Sequence, residues 1–169
     1  MQVIIEGRLT FSFPDNTVAT KYDDWSFYRN QFNSAFNGTK AVDFLHVDDQ
    51  ITWLIEVKDY RANPRTKSVD IGDEIALKVR DTLAGLVASK FNATEAIEKD
   101  GAKKSLQRRQ LRVVLHLEQP IKCSRLFPKP IDPSKVKQKL KQLLKSVDPH
   151  PMVVDQRTLS PSMNWTVTG

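Results

Sequence analysis

The chain has 169 residues, 40% of them hydrophobic and 27% charged, with a formal net charge of +6, a pI near 9.5 and one cysteine. That length fits a single domain, 1–169, able to bury a sizeable core, and a lone cysteine excludes a disulfide-stapled scaffold and fits a reducing compartment. The positive balance suits a polyanionic partner; no run is apolar enough to cross a bilayer and no basic segment precedes an apolar one at Met1 to Glu6, so a soluble, cytoplasmic protein without a signal peptide is expected.

From Val3 to Phe13 the apolar residues Val3, Ile5, Leu9, Phe11 and Phe13 hold odd positions, and Glu6, Arg8, Thr10 and Ser12 hold even ones. This is the period of one half-buried strand, with Gly7 as a bend or bulge. A helix is predicted over about 23–36, with Asp23 or Asp24 near its N-cap and Gly38 just past its end. Trp25, Tyr28, Phe32 and Phe36 fall along one face of it and are expected to pack on a sheet.

The runs 41–47 and 51–58 are β-rich and flank the polar turn Asp48-Asp49-Gln50, which makes a hairpin the simplest reading. If Asp48 pairs with Ile51, Asp43 lies opposite Glu56, and alternation places Lys58 on the same face as both. Phe44, Trp53, Ile55 and Val57 then form an apolar opposite face. The polar, basic stretch 59–68 reads as a loop, and a helix over about 73–90 carries Ile75, Val79, Leu83, Leu86 and Val87 at helical spacing. Lys78 and Arg80 lie off that stripe and read as solvated surface, with phosphate contact as the alternative.

Basic residues crowd 99–112, either as a phosphate-binding cluster or as a solvated linker. A strand follows at 111–118 with Leu111, Val113, Leu115 and Leu117 turned inward and His116 on the polar side, as surface or as a satisfied hydrogen bonder. The Pro- and Lys-rich stretch 120–133 reads as an extended connection. Asp132 then N-caps a basic amphipathic helix with Pro133 at its first position and Val136, Leu140, Leu143 and Leu144 on one stripe. Short final strands are expected at Val153-Val154 and at Trp165-Thr166-Val167.

The chemistry lies in the hairpin. Two carboxylates at one spot suffice for Mg²⁺, which takes hard oxygen ligands, with Mn²⁺ as substitute, and such a metal activates water for phosphodiester cleavage while a neighbouring lysine stabilises developing charge. The bland alternative is an ion pair between Glu56 and Lys58 at a sheet edge, worth roughly 0 to 1 kcal/mol. His46, His116, His150 and Cys123 show no spacing of a nucleophilic site.

Asp43, twelve intervening residues and then Glu56-Val57-Lys58 resemble the PD-(D/E)xK nuclease superfamily, with Val42 where the motif has proline. The resemblance implies a restriction-endonuclease-like α/β fold: a mixed central sheet flanked by helices, built as a helix, a three-stranded meander, a second helix and a further strand. It implies that Asp43 and Glu56 ligate Mg²⁺, that the Val57 carbonyl adds a ligand, and that Lys58 positions or helps deprotonate the attacking water. An added acid from the first helix would be Asp23 or Asp24. Arg61, Arg65, Lys67, Lys103, Lys104, Arg108 and Arg109 would hold phosphates. The expectation is a Mg²⁺-dependent nuclease acting on nucleic acid, DNA for preference, as a homodimer or within a larger assembly. Two rivals stand beside it: a non-catalytic nucleic-acid-binding or assembly module with the same fold, and a structural subunit that uses its strand edges and basic helix for protein contacts.

Overall fold

The computed structural model describes residues 1–120 and 131–169. Strands β1 (Gln2–Glu6), β2 (Leu9–Phe13) and β8 (Thr166–Thr168) form a three-stranded sheet in the order β1-β2-β8. A five-stranded mixed sheet runs β3 (Val18–Lys21), β4 (Phe44–Val47), β5 (Ile51–Asp59), β6 (Gln110–Glu118) and β7 (Met152–Val154). Its first three strands are antiparallel neighbours, whereas β6 runs parallel to β5 and β7 parallel to β6. Helices α1 (Ile71–Asn92) and α2 (Ala96–Ser105) make the crossover from β5 to β6, and α3 (Pro133–Leu143) precedes β7. The chain is thus an α/β protein, and none of the helices among the described residues is long and apolar enough to cross a membrane.

The five-stranded sheet is covered on both faces. Leu45, Leu54, Val113 and Leu115 pack against Ile75, Val79 and Leu86 of α1 and Val136 and Leu140 of α3. Phe44, Trp53, Ile55 and Val114 pack on the other side against Leu9, Phe11, Phe13 and Val167 of the smaller sheet. Burial on both faces is why 51–57 and 113–117 read as nearly continuous apolar runs.

Several sequence expectations are corrected. The strand expected over 3–13 is a hairpin: Gly7, at φ 58°, turns the chain, and Glu6 pairs with Leu9. Antiparallel pairing of Val3 with Ser12 and Ile5 with Thr10 swaps odd for even, so Val3 and Ile5 face solvent while Leu9, Phe11 and Phe13 are buried. The helix expected over 23–36 is two short irregular turns, a π-helical one at Tyr28–Phe32 and a 3₁₀ one at Ala35–Asn37, and β3 precedes them. Trp25 and Phe32 are buried as expected; Phe36 is not, because its backbone turns left-handed. The stretch 99–112 is divided between helix α2 and strand β6. His116 is buried by the smaller sheet, against Phe11. The connection expected over 120–133 and Cys123 fall largely outside the described residues.

Helix ends follow the expected chemistry. Asp70 caps α1 by accepting from Gly72 and Asp73, and Asp132 caps α3 by accepting from Ser134, with Pro133 at the first turn. The residues Val136, Leu140 and Leu144 of the predicted α3 stripe are buried, and Leu143 lies half open at its edge.

Candidate functional site

The hairpin of β4 and β5 has the register that the sequence implies. Phe44 pairs with Ile55 and Leu45 with Leu54, so Asp43, one residue before β4, faces Glu56. The segment leading to Asp43 is gripped by α1: the Lys40 amide donates to Asp81 Oδ2 (2.9 Å) and the Val42 amide to Thr82 Oγ1 (3.0 Å). Asp43 in turn accepts from the Val57 amide at Oδ2 (2.7 Å), and its carbonyl accepts from the Tyr22 amide (2.9 Å). Aspartate at 43 therefore ties the β4 entry to β5 as well as placing a charge there.

Glu56 is 1% exposed and lies under α1. Its Oε1 accepts from Lys58 Nζ (2.6 Å) and from Lys78 Nζ (2.6 Å), and Lys78 Nζ also lies 3.7 Å from Asp43 Oδ1. Two carboxylates thus face two ammonium groups, and Lys58 continues the chain of charges to Glu74 at 3.5 Å. Burial first, and then the Asp43 charge, push the Glu56 carboxyl up to about 7. Burial likewise raises Asp43, against the pull of Lys78 and the Val57 amide. Burial disfavours the Lys58 ammonium, yet the Glu56 charge and hydrogen bond outweigh it and hold Lys58 above the ordinary lysine value. Asp23, also pushed up by burial and by Asp43, reaches about 6.

Sequence reasoning placed Asp43, Glu56 and Lys58 together and missed Lys78 and Glu74. Position 78 falls one turn from Ile75 and Thr82, on the shoulder of the buried stripe, and that spacing was the available signal. The ammonium of Lys78 fills space beside both carboxylates that a cation would use, while Glu56 Oε2 is buried with no hydrogen-bond partner. Among the described residues no group of three or more His, Cys, Asp and Glu side chains is placed to hold a metal ion.

The basic residues expected to hold phosphate have varied surroundings. Arg61 is held by Asp59 and by the Gly169 carbonyl, Arg65 by Glu74 (2.8 Å), and Lys67 by the same Glu74 (2.6 Å). Lys104 pairs with Asp100 at 2.8 Å within α2. Lys103 and Arg109 are exposed, and Arg108 is half-buried with its Nε lacking a partner.

Fold and site together define a two-sheet α/β protein with an acid and lysine cluster closed between a strand and its crossover helix. No family model matches the chain, and no solved structure matches it significantly. The chain is 36% identical over 162 residues to a cysteine--tRNA ligase of Neisseria meningitidis, a match covering 78% of this chain. It spans about a quarter, 23%, of that relative's length. This similarity overturns the nuclease expectation: the relative is a ligase by name, so the assignments of nuclease, endonuclease and phosphodiester hydrolase are withdrawn. The neutralising lysines supply a physical reason, since Glu56 Oε1 is already shared by two ammonium groups.

Proposed function

We propose that this chain is a non-catalytic RNA-binding module of a tRNA-ligase-related protein. The observation that carries the reading is the 36% identity to a cysteine--tRNA ligase across a segment covering 23% of that relative. The formal charge of +6 supports it, because a basic surface gains affinity from a polyanion by releasing counterions. The meander β3-β4-β5, the crossover helices and the parallel strand β6 support a restriction-endonuclease-like core beneath that function. One departure is that the irregular helical turns lie between β3 and β4 and not ahead of the meander. In this reading Asp43, Glu56, Lys58 and Lys78 hold β4, β5 and α1 together, and RNA meets the outer surface.

The test is retention of labelled tRNA on filters as salt is varied. Binding should be saturable and should weaken log-linearly with salt, with a slope of about −0.7 to −0.9 per phosphate neutralised. A protein that retains no tRNA at low salt is not an RNA-binding module.

A second reading, that Asp43 and Glu56 hold Mg²⁺ or Mn²⁺, is favoured by the unpartnered Glu56 Oε2. It requires the Lys78 ammonium to withdraw. A rise in melting temperature on adding Mg²⁺, absent in Glu56→Gln, would support it, and no rise in the wild type would remove it.

A further inference from the structure

We infer that Phe36 and Phe91 form a stacking face for unpaired RNA bases, an inference that rests on the RNA-binding reading and locates the surface. Phe36 is 83% exposed and its backbone is left-handed, φ 54° and ψ 34°, followed by Asn37 at φ 65°. A bulky side chain is disfavoured in that conformation, so neither backbone preference nor burial accounts for phenylalanine here. An observed outlier of this kind is a reason to look for function.

The turn that presents Phe36 is pinned on both sides. The Gly38 amide donates to the Ala35 carbonyl and the Thr39 amide to the Asn33 carbonyl, each at 2.9 Å. Thr39 Oγ1 donates to the Phe32 carbonyl at 2.8 Å, and the Tyr28 hydroxyl donates to the Thr39 carbonyl at 3.1 Å. The Phe36 ring meets buried Phe32 edge to face, with centroids 6.1 Å apart and planes at 74°, which leaves its other face open to solvent. An exposed aromatic on a pinned turn loses little entropy when a base stacks on it.

Phe91 is linked to that turn through chain neighbours. Ala35, beside Phe36, and Ala88, one turn from Phe91, pack into one small apolar cluster with Phe27, Phe32 and Ala93. Phe91 is 65% exposed, and Lys90 Nζ lies 5.4 Å from its ring centroid. Charge selects the partner. Residues 25–42 and 82–94 contain no aspartate or glutamate, while Arg29, Lys40 and Lys90 lie within them; of the acids at their borders, Asp24 pairs with Arg29 at 2.9 Å and Asp81 accepts from the Lys40 amide. Lys40 and Lys90, unlike Arg29, make no ion pair among the described residues. Exposed aromatics with Lys90 over one ring and Lys40 four residues from the other, and with Asn33, Asn37 and Asn92 exposed on the same segments, fit the bases and phosphates of a single strand. An apolar protein surface would leave those cations desolvated and unpaired.

Fluorescence anisotropy of a labelled oligouridylate, and of labelled tRNA, tests the inference on the full chain and on Phe36→Ala, Phe91→Ala and Phe36→Trp. Each alanine should weaken oligouridylate binding by roughly 5- to 100-fold without changing the salt slope, and tryptophan should retain binding. Because both rings are exposed, the variants should fold, which circular dichroism checks. If the wild type binds RNA and both alanine variants bind within about twofold of it, the face is wrong and the RNA-binding reading survives. If the wild type binds neither RNA, both fall. Self-association of the wild type that the alanine variants abolish, with RNA binding unchanged, would make this a protein interface and overturn the inference.

Discussion

Lys78 Nζ and Glu56 Oε1 lie 2.6 Å apart at the boundary between α1 and β5, and Glu56 is 1% exposed. Removing Lys78 leaves the buried Glu56 charge with Lys58 as its remaining ammonium partner, at 2.6 Å, and takes from Asp43 the ammonium 3.7 Å away. Lys78→Met should therefore lower stability by about 1.5 to 3 kcal/mol, less than for a buried charge left with no partner, and the double variant Glu56→Leu with Lys78→Met should recover part of that loss. Urea denaturation of the four proteins of the cycle measures the coupling. A Lys78→Met chain as stable as wild type would show that Glu56 does not depend on Lys78 for its place in the fold.

Two carboxyls give the acid limb of stability opposite signs. Asp23 ordinarily titrates at 3.8, and in the fold burial, then Asp43 and Asp24, push it up to about 6. Between those values the folded chain holds a proton that the unfolded chain has lost, so this group makes stability fall as pH rises from about 4 to 6 and has no further effect above. For Glu74, burial opposes ionisation, but Lys67, Arg65 and Lys58 outweigh it and lower its value from 4.5 to about 2. Its stabilisation is present above 4.5 and is lost as pH drops toward 2. Denaturation midpoints from pH 2 to 7 should show Asp23→Asn making the decline between about pH 4 and 6 shallower, and Glu74→Gln removing the loss at lower pH. Glu56, raised from 4.5 to about 7, supplies a decline that persists in the Asp23→Asn variant. Parallel profiles for wild type and both variants would show that neither carboxyl is shifted.

The local signals were legible in sequence because they rest on neighbours in the chain. The hairpin register follows from alternation around Asp48 to Ile51, and Asp48 does accept from the Gln50 and Ile51 amides to close that turn. The caps at Asp132 and Pro133 needed only their own residues. What stayed hidden depends on distant partners. Glu98 looks like an exposed α2 position, yet it is bonded to the Ser26 and Phe27 amides across 72 and 71 residues. Lys78 reads as surface until β5 lies beneath it, and Phe36 reads as core in a regular helix that the chain does not form. His116 lies on the nominally polar side of its strand, but the smaller sheet covers that side, where its Nε2 lies 3.0 Å from Glu118.

Gly85 sits inside α1, where alanine would ordinarily favour the helix by about 1 kcal/mol. Here a Cβ would overlap the Tyr22 hydroxyl and come within 3.1 Å of the Phe32 ring. Tyr22 is fully buried between Trp25 and Tyr28 and cannot move aside without disturbing both. Gly85→Ala should accordingly destabilise by about 1 to 3 kcal/mol despite its propensity, whereas Gly85→Ala combined with Tyr22→Phe should regain part of the loss. Thermal melts of the single and double variants decide it, and a stabilised Gly85→Ala would show that the close approach to Tyr22 is absent in solution.

Glu98 is 8% exposed, and its two oxygens accept from the Ser26 amide (2.6 Å) and the Phe27 amide (3.0 Å) at the start of the turns that carry Phe32 and Phe36. Hydrogen bonds to a buried charge contribute about 1.5 to 3 kcal/mol, and truncation leaves both amides without a partner. Glu98→Ala should lower global stability by about 2 to 3 kcal/mol, while Glu98→Gln, which keeps one acceptor, should cost less. The loss should also be uneven. Residues 26–39 depend on Glu98 for their anchorage to α2, so amide hydrogen exchange should accelerate there more than in β5 or β6, which the two cores hold independently. Uniform acceleration across the chain would show that Glu98 stabilises the whole fold without specifically tethering the segment that displays Phe36.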